Sequence, residues 1–247
     1  MAKPAILRLD AHAPLEIWPD FPESEIAAGT RASIGHRFFD DKVIGLSVGI
    51  WEAEANLGRW MHWPVHEFMV ILEGEVIIVE EERETVIGPG ESFFIPKGRR
   101  CIWNQSAYAK KFMVLFDGLP GSGTDGAREV IKIDPTVALS PSTPPPAELL
   151  HSSVPKQDEF VYFQDAKGQL SVGVWQTTGY HRKLIDFPRH ELMHLLEGSV
   201  TFSDDEGRSQ SFKAGDTFFV PMGTPNAWKS EGTLRKIYCI IQPNQAA

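Results

Sequence analysis

The chain has 247 residues, of which 42% are hydrophobic, and a formal net charge of −9. A negative balance without a Lys/Arg cluster argues against nucleic acid and anionic membranes as partners. No stretch approaches the roughly 20 apolar residues of a membrane span, and the two cysteines, Cys101 and Cys239, do not suggest a disulfide framework. We therefore expect a globular cytoplasmic protein.

An internal repeat covers most of the chain. Residues 39–74 align without a gap with residues 163–198, and residues 90–103 align with residues 215–228 after one inserted residue. The register also runs upstream, where Ile6, Asp10, Leu15 and Pro22 fall on Val130, Asp134, Leu139 and Pro146. Self-similarity on this scale predicts two units of one fold.

Short apolar runs follow one another in each unit. In the first unit they are residues 45–51, 68–79, 91–96 and 110–116, separated by Gly and Pro. Such runs, at spacings of about 8 to 12 residues, are typical of an all-β sandwich or barrel.

The predicted domains are residues 1–120 and 129–247, each with a short lead-in arm, joined by a linker at 121–128. The arms, residues 4–10 and 129–134, alternate in polarity. We expect each to add a strand to the neighbouring barrel, within the chain or between chains.

Both units carry the same ordered motif. An acidic residue precedes an apolar strand ending in Leu-Glu-Gly, then come a hairpin, the pattern G-[ED]-x-F-F-[IV]-P-x-G, and a Trp. This order resembles the cupins, most closely the subgroup that includes ethanolamine-utilisation and ureidoglycine-aminohydrolase-like proteins. The resemblance implies an all-β chain of two tandem cupin barrels, each a jelly roll or double-stranded β-helix. It also implies a homodimer that pairs through edge strands.

Many cupins bind a metal through three His and one Glu. The resemblance puts Glu67 and Glu191 at the Glu places. It fills the His places with Met61, Trp63 and Cys101 in the first unit, and with Ile185, Phe187 and Asn226 in the second. A one-residue bulge beside the following proline would bring His62 or Asp186 inward instead. The cofactor expectation is either none or a single divalent transition metal, with His62, Glu67, Asp186 and Glu191 as candidate ligands.

Residues 190–194 read His-Glu-Leu-Met-His, the pattern of zinc proteases. That chemistry requires a helix, on which the two His converge. The repeat places this segment in a strand, where His190 and His194 would stand about 13 Å apart. A protease is therefore not expected.

Strand alternation predicts a pocket in each barrel. Its inward side chains are Glu67, Met69, Trp103 and Lys111 in the first unit, and Glu191, Met193, Trp228 and Lys236 in the second, with Cys101 and Asn226 at the third His place. A Glu–Lys ion pair that only joins two strands is an equal alternative.

Two classes of function stay open. The first is a small-molecule-binding bicupin whose Glu, Trp and Lys recognise a ligand. The second is a metal-dependent or acid/base enzyme, aminohydrolase-like, acting on a small nitrogenous or carboxylated metabolite. In the acid/base case Glu67 or Glu191, with a pKa raised by burial, acts as acid or base. Cys101 follows Arg99 and Arg100, so it is either a thiol activated by cations or a small buried apolar side chain.

Overall fold

The structure, a computed structural model, describes residues 3–118 and 128–243. Residues 121–127 of the predicted linker lie outside the described residues. Within the described ranges the regular elements are β-strands and one 3₁₀ turn, Ala147–Leu149. These ranges hold no helix with the length and apolar character needed to cross a membrane.

The strands of the first half of the chain are β1 (Leu7–Arg8), β2 (Glu16–Trp18), β3 (Ile26–Gly29), β4 (Ser33–Asp41), β5 (Leu46–Ala53), β6 (Asn56–Gly58), β7 (Met61–His62), β8 (His66–Glu73), β9 (Val76–Val79), β10 (Glu84–Ile87), β11 (Ser92–Ile95), β12 (Arg100–Gln105) and β13 (Ala109–Phe116). Those of the second half are β14 (Ile131–Lys132), β15 (Ser140–Pro141), β16 (Gln157–Gln164), β17 (Leu170–Thr177), β18 (Tyr180–Asp186), β19 (His190–Glu197), β20 (Ser199–Ser203), β21 (Ser209–Lys213), β22 (Thr217–Val220), β23 (Pro225–Ser230) and β24 (Leu234–Ile241).

The strands form two compact units, each built from two antiparallel sheets. The N-terminal barrel, residues 9–133, has a seven-stranded sheet in the order β14-β11-β8-β13-β5-β4-β2. Its second sheet has the order β10-β9-β12-β6-β3, with β7 paired to β12. This is the two-sheet barrel that the sequence predicts for the first repeat.

The C-terminal barrel consists of residues 3–8 and 134–243. Its seven-stranded sheet has the order β1-β22-β19-β24-β17-β16-β15, and its second sheet the order β18-β23-β20-β21. The fold class is therefore all-β, with two tandem jelly-roll barrels.

Each lead-in arm pairs with the barrel formed by the other repeat. Strand β1 pairs with β22 in the C-terminal barrel, and β14 pairs with β11 in the N-terminal barrel. Ile6 packs on the C-terminal core, and Val130 is buried in the N-terminal core. Each arm thus adds a strand to the barrel of the other repeat, as the sequence predicts, so the compact units are residues 9–133 and residues 3–8 with 134–243. Burial of these apolar side chains is the physical reason.

The hairpin after the Leu-Glu-Gly motif requires glycine in both barrels. Gly74 and Gly198 have positive φ angles of 74° and 79°. A Cβ atom at either position would collide with the backbone carbonyl of Tyr108 or Thr233. Only glycine fits such a turn without strain, so β8 and β19 end at the same place in each repeat.

Candidate functional site

A buried ion pair lies at the centre of the N-terminal barrel. Glu67 on β8 is 5% exposed, and the Lys111 Nζ on the neighbouring β13 donates to its Oε1 at 2.8 Å. The Trp63 indole N–H donates to the other oxygen, Oε2, at 2.9 Å. Lys111 Nζ also contacts the Met69 sulfur at 3.1 Å. Both carboxylate oxygens are thus engaged by side chains of the same barrel.

Indole rings surround this ion pair. Lys111 Nζ lies 4.2 Å from the centre of the Trp103 ring and 4.9 Å from that of Trp51. Trp63 stacks on Trp103 with ring centres 6.2 Å apart. These groups line a cavity of about 370 Å³. A cation over aromatic faces is stabilised by their quadrupoles, which helps to keep the ammonium in an apolar interior.

The C-terminal barrel repeats the pair with a second cation. Lys236 Nζ donates to Glu191 Oε1 at 2.6 Å, and Arg189 Nε donates to Oε2 at 2.9 Å. Glu191 is completely buried. Lys236 Nζ lies 4.6 Å from the centre of the Trp175 ring and 5.6 Å from that of Trp228. The residue pairs of the two repeats are equivalent, and Arg189 is particular to the second.

The C-terminal cavity is more polar than its counterpart. It measures about 430 Å³, and its lining includes Arg182, Arg189, Lys236, Glu159 and Glu191. The phenol ring of Tyr180 stacks on Trp228 with ring centres 5.5 Å apart. Arg182 Nη2 donates to Asn226 Oδ1 at 2.6 Å. Asn226 thus meets a guanidinium at the place where the resemblance puts a metal ligand.

The charges in the C-terminal barrel contradict the expectation of a raised pKa at Glu191. Burial, the largest single effect, raises the pKa of this carboxyl, but the charges and hydrogen bonds of Lys236 and Arg189 together lower it below its usual value. Burial lowers the pKa of the Lys236 ammonium, and it does the same to Lys111. Glu191 is therefore a stable carboxylate rather than a proton donor near neutral pH.

The expectation of an activated thiol at Cys101 is also wrong. This side chain is fully buried, and burial, aided by the charge of Glu80, raises the pKa of its thiol to about 12. Arg99 instead pairs with Glu80 at 2.7 Å, and Arg100 pairs with Glu81 at 2.6 Å. The neighbouring cations are thus neutralised elsewhere, which leaves Cys101 as a small apolar core residue.

The remaining candidate ligands do not come together around a metal position. His62 is exposed and contacts the Gly98 carbonyl through Nδ1 at 3.1 Å, and Asp186 is exposed as well. The described ranges contain no group of three or more His, Cys, Asp or Glu side chains that could hold an ion. Because Glu67 and Glu191 already bind lysine, the donor set does not fit the metal centre found in many cupins.

The histidines of β8 and β19 lie on the other face of the sheet from the pockets. His66 stacks on Phe94, and His190 stacks on Phe219. His194 Nδ1 lies 2.8 Å from Thr217 Oγ1. The segment that matches the zinc-protease pattern is a continuous strand, so its two histidines do not converge.

Several residues that line the two cavities are absent from the set predicted from the sequence. Arg189 precedes Glu191 by two positions, the spacing of one face in an extended chain, which is a signal in the sequence, although Arg189 itself lies in a bend just before β19. Arg182 gives no such signal, because the register of β18 against β23 shifts between Arg182 and Ile185. Trp18 and Phe21 also line the N-terminal cavity, but Ser142 and Pro145 occupy their places in the second repeat, so repetition gives no signal for them.

Known structures share this fold. A protein of unknown function from Pseudomonas syringae pv. tomato, assigned to the DUF861 family, is 25% identical, with a TM-score of 0.79 over 96% of this chain and 100% of its own. A cupin 2 conserved barrel domain protein from Leptotrichia buccalis is 13% identical, with a TM-score of 0.57 over 87% of this chain and 92% of its own. The protein Ylba from Escherichia coli is 10% identical, with a TM-score of 0.54 over 98% and 96% of the two chains.

No curated protein matches the sequence. A family model, that of the EutQ-like cupin domain, matches both repeats, over residues 45–112 and 164–238. These two segments make up more than half of the chain, and each contains the Glu and the Lys that form the buried pair. The chain therefore belongs to the EutQ-like cupin domain family, with one cupin domain in each repeat.

Proposed function

We propose that this bicupin binds small molecules, with one ligand pocket in each barrel. The observation that carries the proposal is the cavity beside each buried Glu–Lys pair, about 370 Å³ in the N-terminal barrel and 430 Å³ in the C-terminal barrel. Both volumes lie in the range of sites for small metabolites. Apolar walls with a few fixed polar groups are the usual form of such sites.

The pairing of the carboxylates favours binding over acid–base catalysis. A general acid or base must exchange a proton with its substrate, and its pKa should lie near the working pH. Both oxygens of Glu191 instead accept hydrogen bonds from cations, which lower the pKa of its carboxyl. Both oxygens of Glu67 are likewise engaged, by Lys111 and Trp63. These groups are better suited to hold the pocket wall in place than to move protons.

Thermal-shift screening of the full chain tests the proposal. A ligand that binds only the folded state raises the unfolding midpoint by an amount set by its concentration over its Kd. The panel contains small carboxylates, amines and neutral aromatic compounds. Val65→Trp fills the rim of the N-terminal cavity, and Ile185→Trp fills that of the C-terminal cavity.

Matched controls place the same indole outside the cavities. Val86→Trp changes an exposed side chain of β10, and Val161→Trp changes an exposed side chain of β16. We expect at least one compound to raise the unfolding midpoint of the unaltered protein and of the control variant of one barrel. The same compound should not raise the midpoint of the filled variant of that barrel. The absence of any binding compound, or binding that survives both filled variants, would overturn the proposal.

Metal analysis tests the enzymatic alternative that depends on a transition metal. Protein purified without chelator or affinity metal is measured by plasma mass spectrometry, together with Glu67→Gln and Glu191→Gln. We expect far less than one equivalent of Mn, Fe, Ni or Zn per chain in all three samples. A stoichiometric metal that is lost in one variant would make a metal-dependent enzyme the better description.

A further inference from the structure

Arg182 is a buried cation that lines the C-terminal cavity. Its side chain is among the buried charged groups, with 6% exposed. Nη2 donates to the Asn226 Oδ1, but Nη1 is buried and has no hydrogen-bond partner among the described residues. Asn226 is neutral, and its own amide donates to the Thr224 carbonyl. The guanidinium therefore has neither a full set of acceptors nor a bonded counter-charge within the described ranges.

An unsatisfied buried cation is unfavourable, because its lost hydration is not replaced. Burial lowers the pKa of the Arg182 guanidinium, with a smaller opposing effect from the phenol of Tyr180. The carboxylate of Glu191, which also acts on this pKa, is already hydrogen bonded to Lys236 and Arg189. Glu159, a half-buried carboxylate, also lines the cavity, but it makes no ion pair with Arg182.

The N-terminal barrel has no equivalent of this group. In the repeat alignment, Gly58 occupies the place of Arg182, and Val65 that of Arg189. The buried charged side chains that line the N-terminal cavity are Glu67 and Lys111 alone among the described residues, and they neutralise each other. Glu25, Arg37 and Arg59 also line the N-terminal cavity, but they are not buried. Among the described lining residues, a buried cation without a bonded carboxylate is thus found in the C-terminal cavity alone.

We propose that the C-terminal pocket is selective for a small organic anion whose carboxylate binds the Arg182 guanidinium. This inference rests on the proposed binding function and names the ligand class of one pocket. The planar guanidinium matches a carboxylate in shape, and hydrogen bonds between the two charged groups are about twice as strong as neutral ones. The carboxylate supplies acceptors for Nη1 and the charge that Asn226 cannot.

The walls of the cavity define the rest of the ligand. Tyr180 and Trp175 present aromatic surface, and Pro144–Pro146 line the same cavity. An unbranched or aromatic carboxylic acid would place its apolar body against these groups, as ligands of apolar pockets commonly do. Glu159 would repel a second carboxylate placed near it, so a monocarboxylate fits the charges better than a dicarboxylate.

The test compares carboxylates with their neutral amides on the full chain by isothermal titration calorimetry. Benzoate and benzamide, and butyrate and butyramide, serve as the probe pairs. We expect the carboxylate of at least one pair to bind about tenfold or more tightly than its amide, as expected for hydrogen bonds to a charged group. Arg182→Met and Ile185→Trp should abolish that preference, whereas Arg208→Met, at an exposed ion pair of the same barrel, should leave it unchanged.

The outcomes separate the two proposals. If some ligand binds and Ile185→Trp removes it, but no carboxylate is preferred over its amide, anion selectivity is refuted and small-molecule binding stands. If the preference persists in a folded Arg182→Met protein, the assignment to Arg182 is refuted. Where Arg182→Met does not fold, the comparison in the unaltered protein still decides anion selectivity, and Ile185→Trp decides whether the selective site is the C-terminal cavity. If no probe and no compound of the thermal-shift panel binds either barrel, both proposals fail.

Discussion

The buried pair of Glu191 and Lys236 makes a quantitative prediction about stability. Glu191→Gln removes the negative charge and leaves Lys236, whose side chain is 6% exposed, without a counter-ion. Breaking a buried pair from one side costs about 3–5 kcal/mol. We expect a value near the lower end, about 3 kcal/mol, because the Gln carbonyl still accepts one hydrogen bond. Arg189 adds little, since its side chain is 37% exposed and water replaces much of the lost interaction.

The assay is urea unfolding of the full chain, followed by Trp fluorescence and far-ultraviolet circular dichroism. Both signals are needed because a chain of two barrels can unfold in two steps. Glu191→Leu combined with Lys236→Met should recover most of the loss, since apolar replacement of a buried pair is often neutral. Asp204→Asn removes a charge opposite Arg208, whose side chain is 70% exposed, and keeps an oxygen for the backbone N–H groups of the turn. It should leave the unfolding free energy nearly unchanged. A loss below about 1 kcal/mol for Glu191→Gln, the range of surface pairs, would refute the reasoning.

Three further predictions concern pH, thiol reactivity and the arm. In the folded state the pKa of the Glu191 carboxyl lies below its ordinary value of 4.5. The stability that the ionised carboxylate gives to the fold is therefore present above about pH 4.5 and is lost as the pH falls below that value. Urea unfolding between about pH 5 and 3 should therefore show a shallower loss of stability in Glu191→Gln than in the unaltered protein, and equal slopes would contradict this. Cys101 and Cys239 are buried, and burial raises the pKa of both thiols. Ellman's reagent at about pH 8 should therefore label neither cysteine before the protein unfolds. Rapid labelling of the native protein would show that the thiols are accessible. Deleting residues 1–8 uncovers the core beside Ile6 and removes the ion pair of Arg8 with Asp216. We expect this deletion to destabilise the C-terminal barrel by about 2 kcal/mol. An unchanged urea transition would show that the arm is dispensable.

Repetition within the chain made the buried pair predictable. Glu67 and Lys111 recur as Glu191 and Lys236 in aligned segments. Strand alternation then puts all four side chains on the inner face, where the structure finds them. The side chains that close the pockets could not be found in this way, because they differ between the repeats: Trp18 falls on Ser142, and Gly58 on Arg182.

Proximity in sequence was misleading at Cys101. Arg99 and Arg100 precede it directly, which suggested an activated thiol. Adjacent residues of a strand point to opposite faces, and each arginine finds its own carboxylate, Glu80 and Glu81. The environment of the thiol therefore depends on tertiary contacts that lie outside the local sequence.

The two repeats place the same buried Glu–Lys pair in different surroundings. A carboxylate fixed on an inner strand of a jelly roll needs a positive partner, because an unpaired buried charge is strongly unfavourable. In this chain a lysine from the adjacent strand supplies that charge in both barrels, so neither carboxylate requires an external cation. The second barrel then adds Arg189 to the same carboxylate and Arg182 beside it. Because both oxygens of Glu191 already accept hydrogen bonds from Lys236 and Arg189, Arg182 is left without a bonded carboxylate among the described residues. The first repeat has Gly58 at the place of Arg182, so this one position carries the proposed difference in anion binding between the two pockets.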